Sequence, residues 1–235
     1  MPETKGRGAN VCRNGFSTLL MAAVLGMGGG AQAQVPPSPA EVAAYGPLHL
    51  SAYRGDLPAL RQAIATGRGL EARDGEGRTA LLSAAHARQS EAMRELVKAG
   101  ADPRALDSRA YDAVTIAAVA DDIETMRTAL AIGGNPRAIT SPYLGTALIA
   151  AAHLGHGAVV RELIAAGAPL DHVNNLGWTA LIEAVILGNG GPRHVETVKA
   201  LVTAGARRDL ADREGATPLD HARRRGYAAM VALLQ

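Results

Sequence analysis

From residue 45 to residue 235 the apolar positions recur in a fixed frame about every 33 residues, and each period holds two short stretches of helical spacing. Six helix starts mark the frame: Gly46, Thr79, Asp112, Thr146, Thr179 and Thr217, at spacings of 33, 33, 34, 33 and 38. All six are residue types favoured at a helix N-cap. Pro47, Ala80, Ala113, Ala147, Ala180 and Pro218 follow them, and proline suits the first helical position because no hydrogen bond is lost there. One residue on comes an apolar anchor, Leu48, Leu81, Val114, Leu148, Leu181 or Leu219. Small pairs such as Ala84-Ala85, Ala117-Ala118 and Ala151-Ala152 then allow stacked helices to approach closely.

The second stretch carries apolar residues at i, i+3 and i+4, as in Leu60, Ala63, Ile64 and Val160, Leu163, Ile164. It ends at Gly67, Gly100, Gly133, Gly167 or Gly205, the residue type that accepts a left-handed backbone after a helix. About ten mostly polar residues then lead to the next start, enough for a hairpin-like connector. The repeats so defined run 46–78, 79–111, 112–145, 146–178, 179–216 and 217–235, the last stopping inside its second helix.

These residues resemble the ankyrin repeat. Its T-P-L-H-x-A-A core is written here as Thr79-Ala80-Leu81-Leu82-Ser83-Ala84-Ala85, and most nearly as Gly46-Pro47-Leu48-His49 and Thr217-Pro218-Leu219. The preceding D-x-x-G-x-T signature appears at 74–79, 174–179 and 212–217, with asparagine first in the second of these. The pattern departs where Ala110 replaces the connector glycine and where the connector before Thr146 is shifted. The resemblance implies an all-α ankyrin-repeat solenoid of about six stacked helix-turn-helix repeats joined by short hairpin-like connectors. It further implies protein binding through connector tips and the first helices. A single repeat cannot bury its apolar face, whereas stacked neighbours make one continuous core.

Residues 1–33 follow a different logic. Lys5, Arg7 and Arg13 precede an apolar run over 16–27 and a small-residue exit at Ala31-Gln32-Ala33, the layout of a secretory signal peptide cleaved after Ala33. The run is too short to span a bilayer as a helix, which takes about 20 residues. Cleavage removes three of the 24 Lys and Arg and one of the 22 acidic residues, so the mature chain carries 21 of each. Its zero net charge gives no support for binding nucleic acid or an anionic membrane. Cys12, the only cysteine, leaves with the leader, and the mature chain then has no thiolate and no disulfide. Residues 34–44, with a Pro-rich stretch at 35–39, read as a linker.

Function is expected where the repeat does not dictate identity. The column just before the N-cap reads Tyr45, Arg78, Tyr111, Gly145, Trp178 and Ala216, with Tyr143 nearby. Four of the six aromatic residues of the mature chain lie in or beside it, and such rings anchor protein interfaces. Tyr111, Tyr143, Trp178 and Arg78 are therefore the expected partner contacts. Five extra residues in repeat five, within 188–193, are read as a lengthened turn whose removal leaves the melting temperature nearly intact.

Other motifs yield to the period. Gly67-Arg68-Gly69 follows a helix rather than a strand, against a dinucleotide fingerprint. His153 and His156 have metal-ligand spacing, but His156 and His194 share a frame position with Asp56, Gln89, Asp122 and Tyr227 and are read as surface turn residues. The 74–77 segment lacks the distal glutamate of a calcium loop, and Arg223-Arg224-Arg225 reads as a solvated end face. No catalytic residue, cofactor or metal is expected. The expected protein is a monomeric, non-enzymatic interaction scaffold in the periplasm. The alternatives are a secreted host-directed effector and an immunity or stress-defence accessory that occludes or supports one enzyme partner.

Overall fold

The computed structural model describes residues 35–67 and 69–235. The expected leader at 1–33 lies outside the described residues, and the described residues form one compact unit. Among the described residues are thirteen helices and one two-stranded sheet. A short helix, α1 (Pro39–Ala43), precedes six pairs. The first helices of the pairs are α2 (Pro47–Arg54), α4 (Ala80–His86), α6 (Ala113–Val119), α8 (Ala147–Leu154), α10 (Ala180–Ile186) and α12 (Pro218–Arg224). The second helices are α3 (Leu57–Ala65), α5 (Ser90–Lys98), α7 (Ile123–Ala131), α9 (Gly157–Ala165), α11 (Pro192–Thr203) and α13 (Ala228–Leu234).

Each helix packs on its own partner and on the equivalent helices of neighbouring repeats, so first and second helices form two layers. All six expected N-caps are found in place. The hydroxyls of Thr79, Thr146, Thr179 and Thr217 and the carboxylate of Asp112 accept the backbone N–H three residues on, filling one orphan donor of each helix. Between the layers lies the core. Leu81, Val114, Leu148 and Leu181 are at most 1% exposed, and Ala84, Ala117, Ala151 and Ala152 are fully buried. Leu60, Met93, Leu96, Met126, Leu163 and Leu201 fill it from the second helices. The five glycines that end the second helices all adopt positive φ, from 69° to 105°.

Three features differ from the sequence expectations. The 34–44 linker contains α1, whose N-cap Ser38 and Glu41 form a capping box. The five-residue insertion is only partly a turn: α11 has twelve residues where α3, α5, α7 and α9 have nine, so the extra chain winds into the helix N-terminus from the cap at Gly191. The remainder is covered by the last repeat, since Tyr227 donates from its hydroxyl to the Gly188 carbonyl at 3.1 Å and its ring abuts Gly190.

His156 is also not a surface turn residue. It is 8% exposed, and its Nδ1 donates to the Ala118 carbonyl at 2.9 Å, filling an acceptor at the end of α6. His194, inside α11, does the same from Nε2 to the His153 carbonyl at 3.0 Å. Each of these two histidines meets a carbonyl that helix termination leaves open one repeat earlier. The shifted connector before Thr146 forms β1 (Ile139–Thr140) and β2 (Gly145–Thr146), antiparallel with Ile139 opposite Thr146.

Candidate partner-binding strip along the connectors

Four connectors are built on one polar side chain each. Asp74 Oδ1 accepts the N–H groups of Glu76 and Arg78 at 2.9 and 2.8 Å. Asp107 does so for Arg109 and Tyr111, Asn174 for Leu176 and Trp178, and Asp212 for Glu214 and Ala216, all at 2.8 to 3.0 Å. Short carboxylates and carboxamides favour such turns because they reach backbone donors two residues on. The residue before each N-cap is thereby fixed in position. Backbone bonds then join successive connectors, from Ser108 N–H to the Glu76 carbonyl, Ser141 N–H to that of Ala110, and Asn175 N–H to that of Tyr143.

This frame separates the four residues expected to contact a partner. Tyr143 is 51% exposed and Trp178 half-buried, and solvent reaches both. Tyr111 is 6% exposed, with burial and then the nearby Asp107 carboxylate raising its phenol above the usual range. Arg78 is 3% exposed. Its Nε donates to Asp74 Oδ2 at 2.7 Å, and its Nη2 pairs with Glu41 of α1. Burial pushes the Asp74 carboxyl up, yet the hydrogen bonds from Arg78 outweigh that and hold it below its ordinary value. Glu41 is lowered to about 2, first by the Ser38 hydroxyl and backbone N–H and then by Arg78.

The aromatic column led past a second set of residues. Leu106, Ile139, Leu144 and Val173, exposed by 36%, 56%, 57% and 48%, lie on the same three consecutive connectors as Tyr143. Leu106 and Val173 each stand just before the turn-building Asp107 or Asn174, a frame position that could have been read from the sequence. Ser141 and Leu144, at φ of 84° and 54°, are non-glycine residues in left-handed conformation on the same loop. Such strain persists only where the surroundings impose it.

The first helices carry buried polar groups under the connectors. Glu183, 5% exposed, accepts from Asn174 Nδ2 at 2.7 Å and lies 3.3 Å from His153 Nδ1. In repeat six His221 Nε2 meets Asp212 Oδ2 at 2.6 Å. Both contacts tie a first helix to the turn-building side chain of the connector that leads into it, nine residues earlier. Among the described residues no three His, Cys, Asp or Glu side chains gather as metal ligands, and no helix is long and apolar enough to cross a membrane.

The repeat geometry and the matches to known proteins agree. The family model for ankyrin repeats matches three times, over residues 48–140, 114–207 and 148–235. The chain belongs to the ankyrin-repeat family. Solved structures similar to it include an ankyrin repeat domain from Acinetobacter baumannii AYE, 43% identical over 80% of this chain and 95% of that one, with a TM-score of 0.75. The ankyrin repeat protein EF0377 is 30% identical over 81% of this chain and 98% of that one, with a TM-score of 0.73. The ankyrin repeat domain of Bcl-3, a member of the IkappaB protein family, is 28% identical over 81% of this chain and 85% of that one, also at 0.73. No curated protein matches. An ankyrin-repeat stack is, as a class, a protein-binding scaffold rather than a catalytic one.

Proposed function

We propose that this chain is a non-enzymatic scaffold, exported to the periplasm, that binds one protein partner along the connectors that close repeats two to four. The observation that carries this reading is the clustering of exposed apolar side chains. Of six large apolar residues that stand exposed among the described residues, five are Leu106, Ile139, Tyr143, Leu144 and Val173 on three consecutive connectors. Scattered exposed leucines need no explanation, whereas a cluster on connectors that hydrogen-bond to one another supports a recognition surface. Trp178 adds a half-buried ring beside it. Export rests on the tripartite leader at 1–33 and on a mature composition free of cysteine.

The test is capture of a stoichiometric partner from periplasmic extract, comparing wild type with a Tyr143→Ala, Trp178→Ala variant. Tyr111 is left intact because removing its buried ring would disturb folding. Capture by wild type alone supports the scaffold and its edge, and equal capture by both chains discards the edge. Cell fractionation with N-terminal sequencing tests export, with Gln34 expected as the mature N-terminus. Recovery outside the cell would instead favour the host-directed effector.

A further inference from the structure

We infer that residues 38–45 are a displaceable strap, in which Glu41 holds Arg78 in the place of a partner carboxylate, so that the bound segment carries an acidic residue beside its apolar ones. This rests on the connector-edge reading above and extends it to the connector that closes repeat one. Arg78 closes repeat one at the frame position that Tyr111 and Trp178 occupy in repeats two and four. The chain therefore places a segment of its own over one end of the column that the exposed edge continues.

α1 is held by polar contacts rather than by packing, and the ring contacts of Tyr45 with His49 and Tyr53 tie down only the C-terminal end of the strap. α1 is five residues long and none of them is buried. A helix so short has no stability of its own, because nucleation is unfavourable and few bonds follow it. Between α1 and α2 lies an open depression of about 440 Å³ bordered by Pro37, Pro39, Val42, Leu50 and Tyr53. What anchors the strap is Glu41 on Arg78, with Tyr45 donating from its hydroxyl to Asp74 Oδ2 at 3.1 Å.

The two sides of the ion pair are unequal. The Arg78 side chain is 4% exposed and stays fixed by Asp74, whereas the Glu41 side chain is 35% exposed. Withdrawing the strap leaves a preformed guanidinium with one donor edge open. A buried arginine favours a second carboxylate there, since its fork of donors matches carboxylate geometry and an unfilled donor is costly. Glu41 also turns one oxygen back on the Ser38 N–H at 2.8 Å, so the strap's helical turn and its anchor depend on a single side chain. Substituting that side chain frees the site without touching the stack.

The experiment uses the full chain and needs no natural partner. A peptide with the sequence of residues 35–45 is titrated by calorimetry into wild type and into Glu41→Gln, beside a peptide whose glutamate is replaced by glutamine. The expected result is binding at least tenfold tighter to Glu41→Gln than to wild type, lost with the glutamine peptide. Equal binding of the two peptides, or binding to neither chain, overturns the proposal. Hydrogen exchange gives a second readout: the Val42 and Ala44 amides are expected to exchange at least tenfold faster than those of Ser83 and Ala85 in α4. Equal protection would make the strap a fixed cap and overturn the proposal. Failure of the capture experiment leaves these readouts untouched, so the two readings fail separately.

Discussion

Ala110→Gly is expected to stabilise the stack. Ala110 stands at φ 62° where Gly77, Gly177 and Gly215 stand at 75°, 85° and 77° in the equivalent turns. The left-handed conformation places an L-residue's Cβ against its carbonyl and costs about 1–2 kcal/mol, which glycine avoids. Glycine in turn enlarges the unfolded ensemble at a cost of about 0.4–1 kcal/mol. The net expected gain is about 0.5–1 kcal/mol, or roughly 1–4 °C in Tm for a domain of this size. The bonds from Ala110 N–H to the Asp107 carbonyl and from Ser141 N–H to the Ala110 carbonyl both survive, since neither involves the methyl group.

The reciprocal change, Gly77→Ala, introduces the same backbone cost and sets its Cβ 2.9 Å from the Ser108 backbone nitrogen, inside the contact limit. It should lose about 2 kcal/mol or more. Urea unfolding followed by circular dichroism, with m-values compared to confirm an unchanged transition, measures both. A lower midpoint for Ala110→Gly, or an unchanged one for Gly77→Ala, would refute the argument that this turn selects glycine for its backbone alone.

Burial first and the Arg78 charge second lower His86 to about 4. As pH falls the unfolded chain takes up this proton first, so the His86 contribution is intact above about pH 6.5 and is lost between there and about pH 4. The loss is on the order of 3 kcal/mol. A His86→Gln variant, unfolded in urea across that window, should show a shallower pH dependence than wild type; identical slopes would count against it. Glu183→Ala leaves the buried Asn174 Nδ2 without its acceptor and should cost about 1–3 kcal/mol in the same assay, with Glu183→Gln costing less. Deleting residues 189–193 removes the start of α11 and the surface under Tyr227, and should lower stability by about 1–3 kcal/mol rather than leave it unchanged. An intact midpoint would show that the last repeat does not depend on this segment.

The period, the six helix starts, the C-terminal glycines and the buried anchors are legible in the amino-acid order alone. These follow from forces acting within a few residues: a hydroxyl reaching a backbone donor three residues on, a left-handed residue after a helix, and apolar side chains on one helical face. The family could be read from them because the same local solution recurs in each repeat. Exposure was decided only by tertiary structure. Arg78 and Tyr111 carry side-chain types that suit an interface, yet α1 pairs with the first and the fold leaves only 6% of the second exposed. His156 and His194 share a frame position with capping residues, but each faces a carbonyl more than 35 residues away along the chain. The inserted residues of repeat five became partly helix because Pro192 can open a turn that the following residues continue. In a stack, the backbone conformation of a residue is set by its own repeat, and its burial by what the adjoining repeats lay against it.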